Sequence, residues 1–502
     1  MRISTLQAFN NGVLGIQRNY ANVSRTQEQI ASGNRILTPA DDPVASVRLL
    51  QLEQQQGLLA QYSGNLSAAK NSLTLEETTL DAVNTNLQRI RELTLQAGSG
   101  ALSSADRKAI ASELKEREDE LFSLMNSKNA RGEYLFSGFQ GKTQPYVREA
   151  DGTYRYQGDE GQRTLQVASS LSMPISDNGM KLFENITNAG RFETAEVTRG
   201  VDISPGEATA SVVSDAAAQA FPSAGITLRF RETDDGSRIF DVFGLANGER
   251  LSGAGGIDLD SLEDATFDFR GVSITFDDTQ GAGDELTVRL SSLKASPGLV
   301  TDEVAFHGSD PFPAAGIVLR FGEQGRYDVY AADAADGDPP LQSGLQLDSD
   351  PLTTDTLVFR GVTVQLDGLS SAGDEVLIRP DNDNRKQGIL NTVATLRKAL
   401  EDPESSNADL RDNIALALTN LDHGMVNVDL ARGEIGARLN VIDTTHATNE
   451  DMTLYNTSVQ AELRELDYAE ALSRLSFESV IMEAAQQSYV KISGLTLFNH
   501  MR

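Results

Sequence analysis

The stretch that decides the fold is residues 52–90, LEQQQGLLAQYSGNLSAAKNSLTLEETTLDAVNTNLQRI, because it carries a leucine at every seventh position. A seven-residue apolar repeat sustained over this length keeps one stripe of a helix facing a partner helix. The stretch therefore predicts a long helix packed in coiled-coil fashion. Its core seam is Leu52, Leu59, Leu66, Leu73, Leu80 and Leu87, with Val83 and Ile90 at a second apolar position.

The start of this helix is also readable. Asp42 can act as the N-cap, and Pro43 suits the first helical position because a backbone N–H is not needed there. The pattern stops at Gly98-Ser99-Gly100. Further helices are expected from about residue 104 to 129 and from about 410 to 442, since both segments repeat apolar residues at helical spacing.

The two chain ends carry a matching apolar pattern, which we interpret as a candidate assembly surface. Each end spaces its apolar residues three, four or seven apart, as on one face of a helix. Either stripe alone could be ordinary domain core, but two matching stripes favour pairing with each other or with neighbouring subunits. The stripes are Leu6, Phe9, Val13, Ile16, Tyr20 and Val23 at the N-terminus, and Leu472, Leu475, Met482, Tyr489 and Ile492 at the C-terminus.

Length and charge narrow the possible functions. The chain has 502 residues and a formal net charge of −30, so we expect several domains. The acidic balance disfavours a nucleic-acid partner and an anionic membrane surface. No apolar run reaches the roughly 20 residues of a membrane span. The N-terminal residues also lack the apolar core of a cleavable secretory signal.

The middle of the chain differs from its ends. Residues 151–382 carry a net charge of −23 and contain 10 of the 14 prolines. Gly and Pro punctuation of this kind favours a β-rich insert within a helical framework. A stretch before the repeats, residues 153–167, is predicted to be a β-hairpin that turns at Gly158–Gly161.

The insert contains an internal repeat. AGITLRF at 224–230 matches AGIVLRF at 315–321, FRGVSITF at 269–276 matches FRGVTVQL at 359–366, and AGDELTVR at 282–289 matches AGDEVLIR at 372–379. Three matching blocks in the same order indicate a duplicated unit of about 90 residues. Alternating apolar and polar residues in each block are typical of half-buried strands.

These observations predict an α+β multidomain fold. Its framework is a long antiparallel helical coiled coil or bundle built from both chain ends, with an inserted β-hairpin region and two duplicated β-rich domains. The predicted divisions are a terminal helix at 1–40 paired with 460–502, a helical rod at 41–145 paired with 383–459, a β-hairpin region at 146–199, and repeats at 200–293 and 294–382.

Residues that could carry chemistry are sparse. Cysteine is absent and the four histidines, His307, His423, His446 and His500, are far apart in sequence. Acid-rich turns at 333–338 and 381–384 lack EF-hand spacing, and no nucleotide-binding or hydrolase motif is present. We therefore predict no enzyme, no cofactor and no metal site.

The ends of the chain resemble the bacterial flagellin superfamily, over roughly residues 1–195 and 383–502. The motifs are MRISTLQAF at the start, QIASGNRILTPADDPVAS at 29–46, NTNLQRIREL at 84–93, GARLNVID at 436–443 and KISGLTLFNHMR at the finish. Asp41-Asp42-Pro43 and GEYLFSG at 132–138 resemble the junction proteins of that superfamily rather than flagellin proper. The repeats lie outside the family pattern, so the resemblance assigns them no role.

The resemblance implies an exported structural subunit, secreted through the flagellar type III apparatus with a cytoplasmic chaperone at its C-terminal region. It further implies a homo-oligomeric ring at the hook–filament junction, in contact with the other hook-associated junction protein and with flagellin. Two alternatives remain: a flagellin-type filament subunit, and a secreted binding protein that uses the β repeats.

Overall fold

The computed structural model describes residues 5–99, 102–198, 200–204, 208–213, 220–277, 279–335, 337–348, 350 and 353–500. Within these ranges the helices are α1 (Thr5–Ser32), α2 (Pro43–Ala97), α3 (Ser104–Met125), α4 (Glu303–Phe306), α5 (Ile389–Glu401), α6 (Asn407–Arg464) and α7 (Tyr468–His500). Among the helical residues described, no helix is both long and apolar enough to cross a membrane.

Between α3 and α5 the chain forms antiparallel β-structure. The strands are β1 (Tyr146–Arg148), β2 (Tyr154–Tyr156), β3 (Thr164–Ala168), β4 (Leu171–Pro174), β5 (Ile186–Thr187), β6 (Phe192–Thr198), β7 (Val201–Ser204), β8 (Ala208–Val212), β9 (Ile226–Glu232), β10 (Arg238–Gly244), β11 (Ile257–Asp258), β12 (Thr266–Phe269), β13 (Val272–Phe276), β14 (Glu285–Leu290), β15 (Lys294–Ala295), β16 (Leu299–Val300), β17 (Ile317–Phe321), β18 (Arg326–Ala331), β19 (Gln342–Gln346), β20 (Thr354–Phe359), β21 (Val362–Asp367), β22 (Glu375–Pro380) and β23 (Lys386–Gln387). The α+β multidomain class predicted from the sequence is confirmed.

The chain divides into two compact units. The first comprises Met1–Leu75, Arg163–Ser176 and Glu434–Arg502, and the second comprises Glu76–Gln162 and Asp177–Gly433. The first unit therefore holds α1, α7 and the hairpin β3–β4, and the second holds α3, α4, α5 and the remaining strands. Parts of α2 and α6 belong to each unit.

The leucine seam of α2 is buried along its whole length. Leu52 and Leu59 are nearly buried, and Leu66, Leu73, Leu80 and Leu87 are completely buried. The start of α2 follows the predicted capping, since the Ala45 N–H donates to Asp42 Oδ1 at 3.0 Å. This hydrogen bond satisfies one of the backbone donors that a helix start leaves free.

Polar contacts show that α2 and α6 run antiparallel in each unit. In the first unit Lys70 Nζ lies 2.7 Å from Asp443, and Gln56 accepts a hydrogen bond from Gln460 at 3.1 Å. In the second unit Arg91 pairs with Asp422 at 2.6 Å. Residue numbers rise along α2 as those of their partners fall along α6, which requires antiparallel helices.

Two five-stranded sheets in the second unit have corresponding strand orders. One runs β11-β10-β9-β14-β7, and the other runs β19-β18-β17-β22-β6. Their neighbours are the sheet β12-β13-β8 and the sheet that contains β15, β16, β20 and β21. Each set of strands encloses its own buried cluster, one centred on Leu228 and Ile274 and the other on Leu319 and Val364.

The region before the repeats differs from the prediction in two respects. The expected hairpin of residues 153–167 does not form, because β2 pairs with β1 and β3 pairs with β4. Asp159 of its expected turn instead accepts hydrogen bonds from the backbone of Phe139 and Gln140. In addition, the predicted β-hairpin region reaches residue 199. In the structure, however, β6 pairs with β22 and so belongs to the sheet of the second repeat.

Glu184 is a half-buried carboxyl group of the second unit whose pKa is strongly raised. It ends the short π-helix Met180–Glu184, and its Oε1 atom is buried without a hydrogen-bond partner. Burial raises the pKa of Glu184 to about 7, although a hydrogen bond with Tyr146 opposes the shift. The folded protein therefore holds a proton on this group more tightly than the unfolded chain does.

We expect Leu73→Ala to lower the free energy of unfolding by about 2–5 kcal/mol, because it leaves a cavity at a completely buried position. The exposed Gln88 of the same helix provides a matched control, and Gln88→Ala should change stability by no more than about 0.5 kcal/mol. Thermal melts of the soluble chain compare the two variants. Equal small effects would show that the seam is not packed in the free subunit.

Glu184→Gln should change the pH dependence of stability. In the wild type, the protonated Glu184 contributes to the free energy of unfolding. This contribution is fully present below the unfolded pKa of about 4.5 and is lost as pH rises through about 7. The variant should therefore be more stable than the wild type at pH 8, by on the order of 1–3 kcal/mol, and close to it at pH 4.5. Urea titrations across this range measure the difference, with the exposed Glu116→Gln as control; parallel curves for Glu184→Gln and the wild type would contradict the assignment.

Candidate assembly surface

The two chain ends meet in the first unit, where α1 packs against α7. Thr26 of α1 is almost completely buried, and its hydroxyl donates to Glu478 of α7 at 2.8 Å. Gly12 of α1 faces the ring of Tyr489, since a Cβ atom added at Gly12 would lie 3.2 Å from Tyr489 Cδ2. The two terminal helices are therefore in contact within the first unit.

A compact corner holds the start of α7 against the end of α1. The Arg35 N–H donates to the Arg464 carbonyl at 2.8 Å and the Leu466 N–H donates to the Gly33 carbonyl at 3.0 Å. Arg35 Nη2 also donates to the Leu463 carbonyl at 2.9 Å. The two bonds from Arg35 satisfy carbonyl groups at the end of α6, where no further helical turn supplies donors, and the bond from Leu466 satisfies the Gly33 carbonyl that follows α1.

Gly33 is required by the geometry of this corner. Its φ angle is +71°, a conformation that residues with a Cβ adopt only at a cost. A Cβ atom at this position would also lie 2.9 Å from the hydroxyl oxygen of Tyr468. The first residue of α7 thus packs directly on the glycine that ends α1.

The predicted assembly residues differ in their burial. Val23 is buried, and Val13, Ile16, Leu475, Met482 and Tyr489 are half-buried, whereas Tyr20 and Leu472 are more than half exposed. Leu6, Phe9 and Ile492 lie on α1 and α7, but their side chains are outside the described residues. Tyr20 and Leu472 therefore do not belong to the buried seam between α1 and α7, and stay predicted as contacts to other subunits.

A second apolar stripe on α7 was not identified from the sequence. It comprises Phe477, Val480 and Ile481, with Phe477 67% and Val480 63% exposed. The sequence pattern that identifies it is the spacing of its residues: Val480 follows Phe477 by three positions and Ile481 follows it by four. This spacing places them on a different face of α7 from Leu475 and Met482. A helix that is apolar on two faces needs more than one partner.

The chemistry available on this surface is packing rather than catalysis. Its contacts are apolar side chains and hydrogen bonds of the Thr26–Glu478 type. Among the described residues, no group of three or more histidine, aspartate or glutamate side chains is placed to hold a metal ion.

Gly33→Ala should destabilise the first unit by about 1 kcal/mol or more, because alanine is strained at a positive φ and contacts Tyr468. Gly57→Ala is the matched control. Gly57 lies within α2 with nothing within 4 Å of an added Cβ, so this substitution should stabilise the helix by up to about 1 kcal/mol. Thermal unfolding and amide exchange in α1 and α7 measure both, and an equal response of the two variants would contradict the role of the corner.

Part of the chain is similar to known proteins. The family model described as the bacterial flagellin N-terminal helical region matches residues 3–141. The flagellar hook-associated protein 3 of Salmonella typhimurium is 34% identical over 188 residues, and that of Escherichia coli is 32% identical over 188 residues. Each alignment covers 38% of this chain and 58% of the relative.

Solved structures extend the likeness in fold. The crystal structure of Xanthomonas campestris FlgL matches with a TM-score of 0.50 and 18% sequence identity, covering 82% of this chain and 99% of that chain. At this identity the match concerns the fold alone. Residues 3–141 of this chain thus match the bacterial flagellin N-terminal helical region, and the chain is similar to flagellar hook-associated protein 3 over a stretch that spans less than two thirds of those relatives.

Proposed function

We propose that this chain is a structural subunit of the bacterial flagellum that forms the junction between hook and filament. The observation that carries the proposal is the apolar surface left exposed by the paired terminal helices. Tyr20 on α1 and Leu472, Phe477 and Val480 on α7 are each more than half exposed. Apolar surface of this kind on a monomer typically marks an interface.

Neighbouring copies of the chain are the proposed partners of this surface. Copies placed side by side in a homo-oligomeric ring would cover the second stripe of α7, since each α1–α7 pair buries only one of its faces. The other junction protein of the hook and flagellin are the proposed partners on either side of the ring, and an export chaperone is the proposed cytoplasmic partner of the C-terminal region. The curated relatives, which are named as flagellar hook-associated proteins, support this position.

The framework of the subunit is proposed to be an antiparallel coiled coil of α2 and α6. Its support is the buried heptad seam of α2 together with the antiparallel contacts of Lys70 with Asp443 and Arg91 with Asp422. Left-handed supercoiling follows when an apolar repeat of seven persists over many turns. This framework has no step of catalysis to perform.

We also propose that the two β-rich regions are copies of one fold. The hairpin turn of each FRG motif supports this, because Arg270 and Gly271 have φ angles of +47° and +83°, and Arg360 and Gly361 have +46° and +81°. Arg270 Nη1 donates to the Ala220 carbonyl at 2.9 Å, and Arg360 Nη1 donates to the Pro311 carbonyl at 3.0 Å. A positive φ is rare at arginine. Its recurrence at Arg270 and Arg360, the equivalent positions of the two regions, supports a common fold.

The loops that carry the AGDE motifs give the same support. Phe230 donates its N–H to the Asp284 carbonyl at 2.9 Å, and Phe321 donates to the Asp374 carbonyl at the same distance. Arg229 pairs with Glu285 at 2.8 Å, and the equivalent pair of Arg320 and Glu375 lies at 3.0 Å.

The first copy is proposed to be inserted into the second. β6 precedes the first copy in sequence but pairs with β22 of the second. The chain enters and leaves the first copy at neighbouring points, since the Ser291 N–H donates to the Gly200 carbonyl at 3.2 Å. The Asp374 carboxylate stabilises both points, because it accepts hydrogen bonds from the Gly200 N–H and from the Ser291 hydroxyl, each at 2.6 Å.

Removing residues 201–290 and joining Gly200 to Ser291 should leave the helical framework and the second copy folded, because the two ends are already hydrogen-bonded. A deletion of equal length, residues 246–335, provides the control, since it removes strands from both sheets. Far-UV circular dichroism and thermal melts compare the two. Loss of a cooperative transition in the first variant would contradict the insertion.

Phe477→Ser and Val480→Ser should change the stability of the free chain by no more than about 0.5 kcal/mol, since both side chains face solvent, but should block assembly. Immuno-electron microscopy measures labelling at the hook–filament boundary in cells that carry each variant. Val426→Ser, at a 59% exposed position of α6, is the control and should assemble normally. Wild-type labelling along the filament would instead favour a flagellin-type subunit, and normal assembly of both α7 variants would contradict the proposed surface.

A further inference from the structure

The GEYLFSG motif continues into a loop that presents an aromatic side chain to solvent. We refer to residues 128–142 as the aromatic tip. Leu135 and Phe136 of this segment are buried in the second unit, whereas Phe139 is 67% exposed. Neither the leucine seam nor the terminal helices account for an exposed phenylalanine here.

The backbone around Phe139 is held by one carboxylate. The N–H groups of Phe139 and Gln140 donate to Asp159 at 2.9 Å and 3.0 Å, and the Gly161 N–H donates to the same carboxylate at 2.7 Å. Tyr156 fixes the other side of the loop, because its hydroxyl lies 2.9 Å from the carbonyl oxygens of both Phe136 and Asp159. The exposed ring is therefore attached to a backbone with little freedom to move.

Two glycines make this arrangement possible. A Cβ atom at Gly161 would overlap the Phe139 ring, and one at Gly138, where φ is +71°, would overlap Asp159. One face of the ring thus lies on the Gly161 backbone while the other faces solvent. A rigid aromatic side chain loses little conformational entropy when a partner covers it. Residues of this kind are typical of binding hot spots.

The charge around the ring indicates what kind of surface would cover it. The aromatic tip carries Lys128, Arg131 and Lys142 against Glu133, and the Asp159 carboxylate bound to the Phe139 backbone adds a second negative charge. Lys128 Nζ lies 4.4 Å from the centre of the Tyr134 ring, and the Tyr134 N–H donates to the Gly141 carbonyl, so the basic groups adjoin the Phe139 loop. The tip is a positively charged site in a chain whose net charge is −30.

The same chain contains a surface of complementary character. Residues 200–382 hold 32 acidic and 11 basic side chains. They also expose apolar groups, with Val213, Val304 and Val358 each at least 60% exposed. Opposite charges steer association and disfavour wrong orientations, and a neighbouring apolar group would receive the free face of Phe139.

We propose that the aromatic tip docks on the acidic β repeats of a second copy of this chain. Phe139 is the anchor of the contact, Lys142 and Arg131 face its acidic rim, and Asp159 positions the anchor. The inference rests on the proposed assembly of copies into a ring, in which every subunit would offer both surfaces.

The experiment places the photoreactive analogue benzoylphenylalanine at position 139 of the full chain and mixes it with heavy-isotope-labelled wild type. Irradiation should give light–heavy cross-links whose peptides map to residues 200–382. Cross-links that map to the terminal helices, to a position outside 200–382, or only within one chain would overturn the proposal.

Sedimentation velocity over a concentration series separates this inference from the proposed function. Phe139→Ala and Lys142→Glu should each raise the dissociation constant of self-association about tenfold, and added salt should weaken the wild type more than Lys142→Glu. Val426→Ser and Lys108→Glu, at exposed positions outside both the tip and the β repeats, are matched controls. Wild-type association in the tip variants, with loss in Phe477→Ser, would overturn the docking of the tip and leave the proposed function standing; a wild-type chain that does not self-associate at all would overturn both.

Discussion

The constraint on which the rest of the structure depends is the antiparallel alignment of α2 with α6, together with the burial of the leucines of α2. Four consecutive members, Leu66, Leu73, Leu80 and Leu87, are completely buried, and each buried leucine contributes roughly 1.5–3 kcal/mol. The pairing brings residues 43–75 and 434–464 together in the first unit, so the segments before and after them also meet. The contact of α1 with α7 is therefore a consequence of the seam, and the short corner from Gly33 to Arg35 suffices to direct it.

The polar contacts between α2 and α6 determine the register of the two helices more than they raise the free energy of unfolding. Lys70–Asp443 and Arg91–Asp422 lie at exposed or half-exposed positions, and such pairs contribute about 0–1 kcal/mol. A leucine seam alone would tolerate a shift by one heptad. Buried polar groups such as Asn84, which donates to Asp429 at 3.0 Å, would lose their partners in a shifted register, and this penalty favours one alignment.

Local pattern explains which parts of the fold could be predicted. The heptad, the Asp42 cap and the alternating strands depend on residues near in sequence, so periodicity located them. The hairpin at 153–167 was wrong because the Asp159 carboxylate bonds to a loop 20 residues earlier, a contact that no local pattern records. The pairing of β6 with β22 was missed for the same reason, since its partner lies about 180 residues away and its own segment matches neither repeat. On the candidate assembly surface, spacing predicts the stripe of Leu475, Met482 and Tyr489, whereas Phe477 and Val480 lie on another face of α7 that a single heptad seam does not include.

The proposed insertion of one β-rich copy into another requires a geometric condition that this chain meets. An inserted domain leaves its host undisturbed only when its two ends lie close together, because otherwise it would stretch or break the host. The Gly200–Ser291 hydrogen bond places the ends at one point, and Asp374 of the host fastens them there with bonds of 2.6 Å. The equivalent residue of the inserted copy, Asp284, keeps the local bond to the Gly281 N–H at 2.7 Å, as Asp374 does to the Ser371 N–H. Asp374 thus stabilises its own loop, as Asp284 does. In addition, it binds the chain at Gly200 and at Ser291, where the chain enters and leaves the proposed inserted copy. Because glycine at 200 leaves no Cβ to meet the Ala372 carbonyl, the crossing chain can approach this loop closely enough for the carboxylate to reach it.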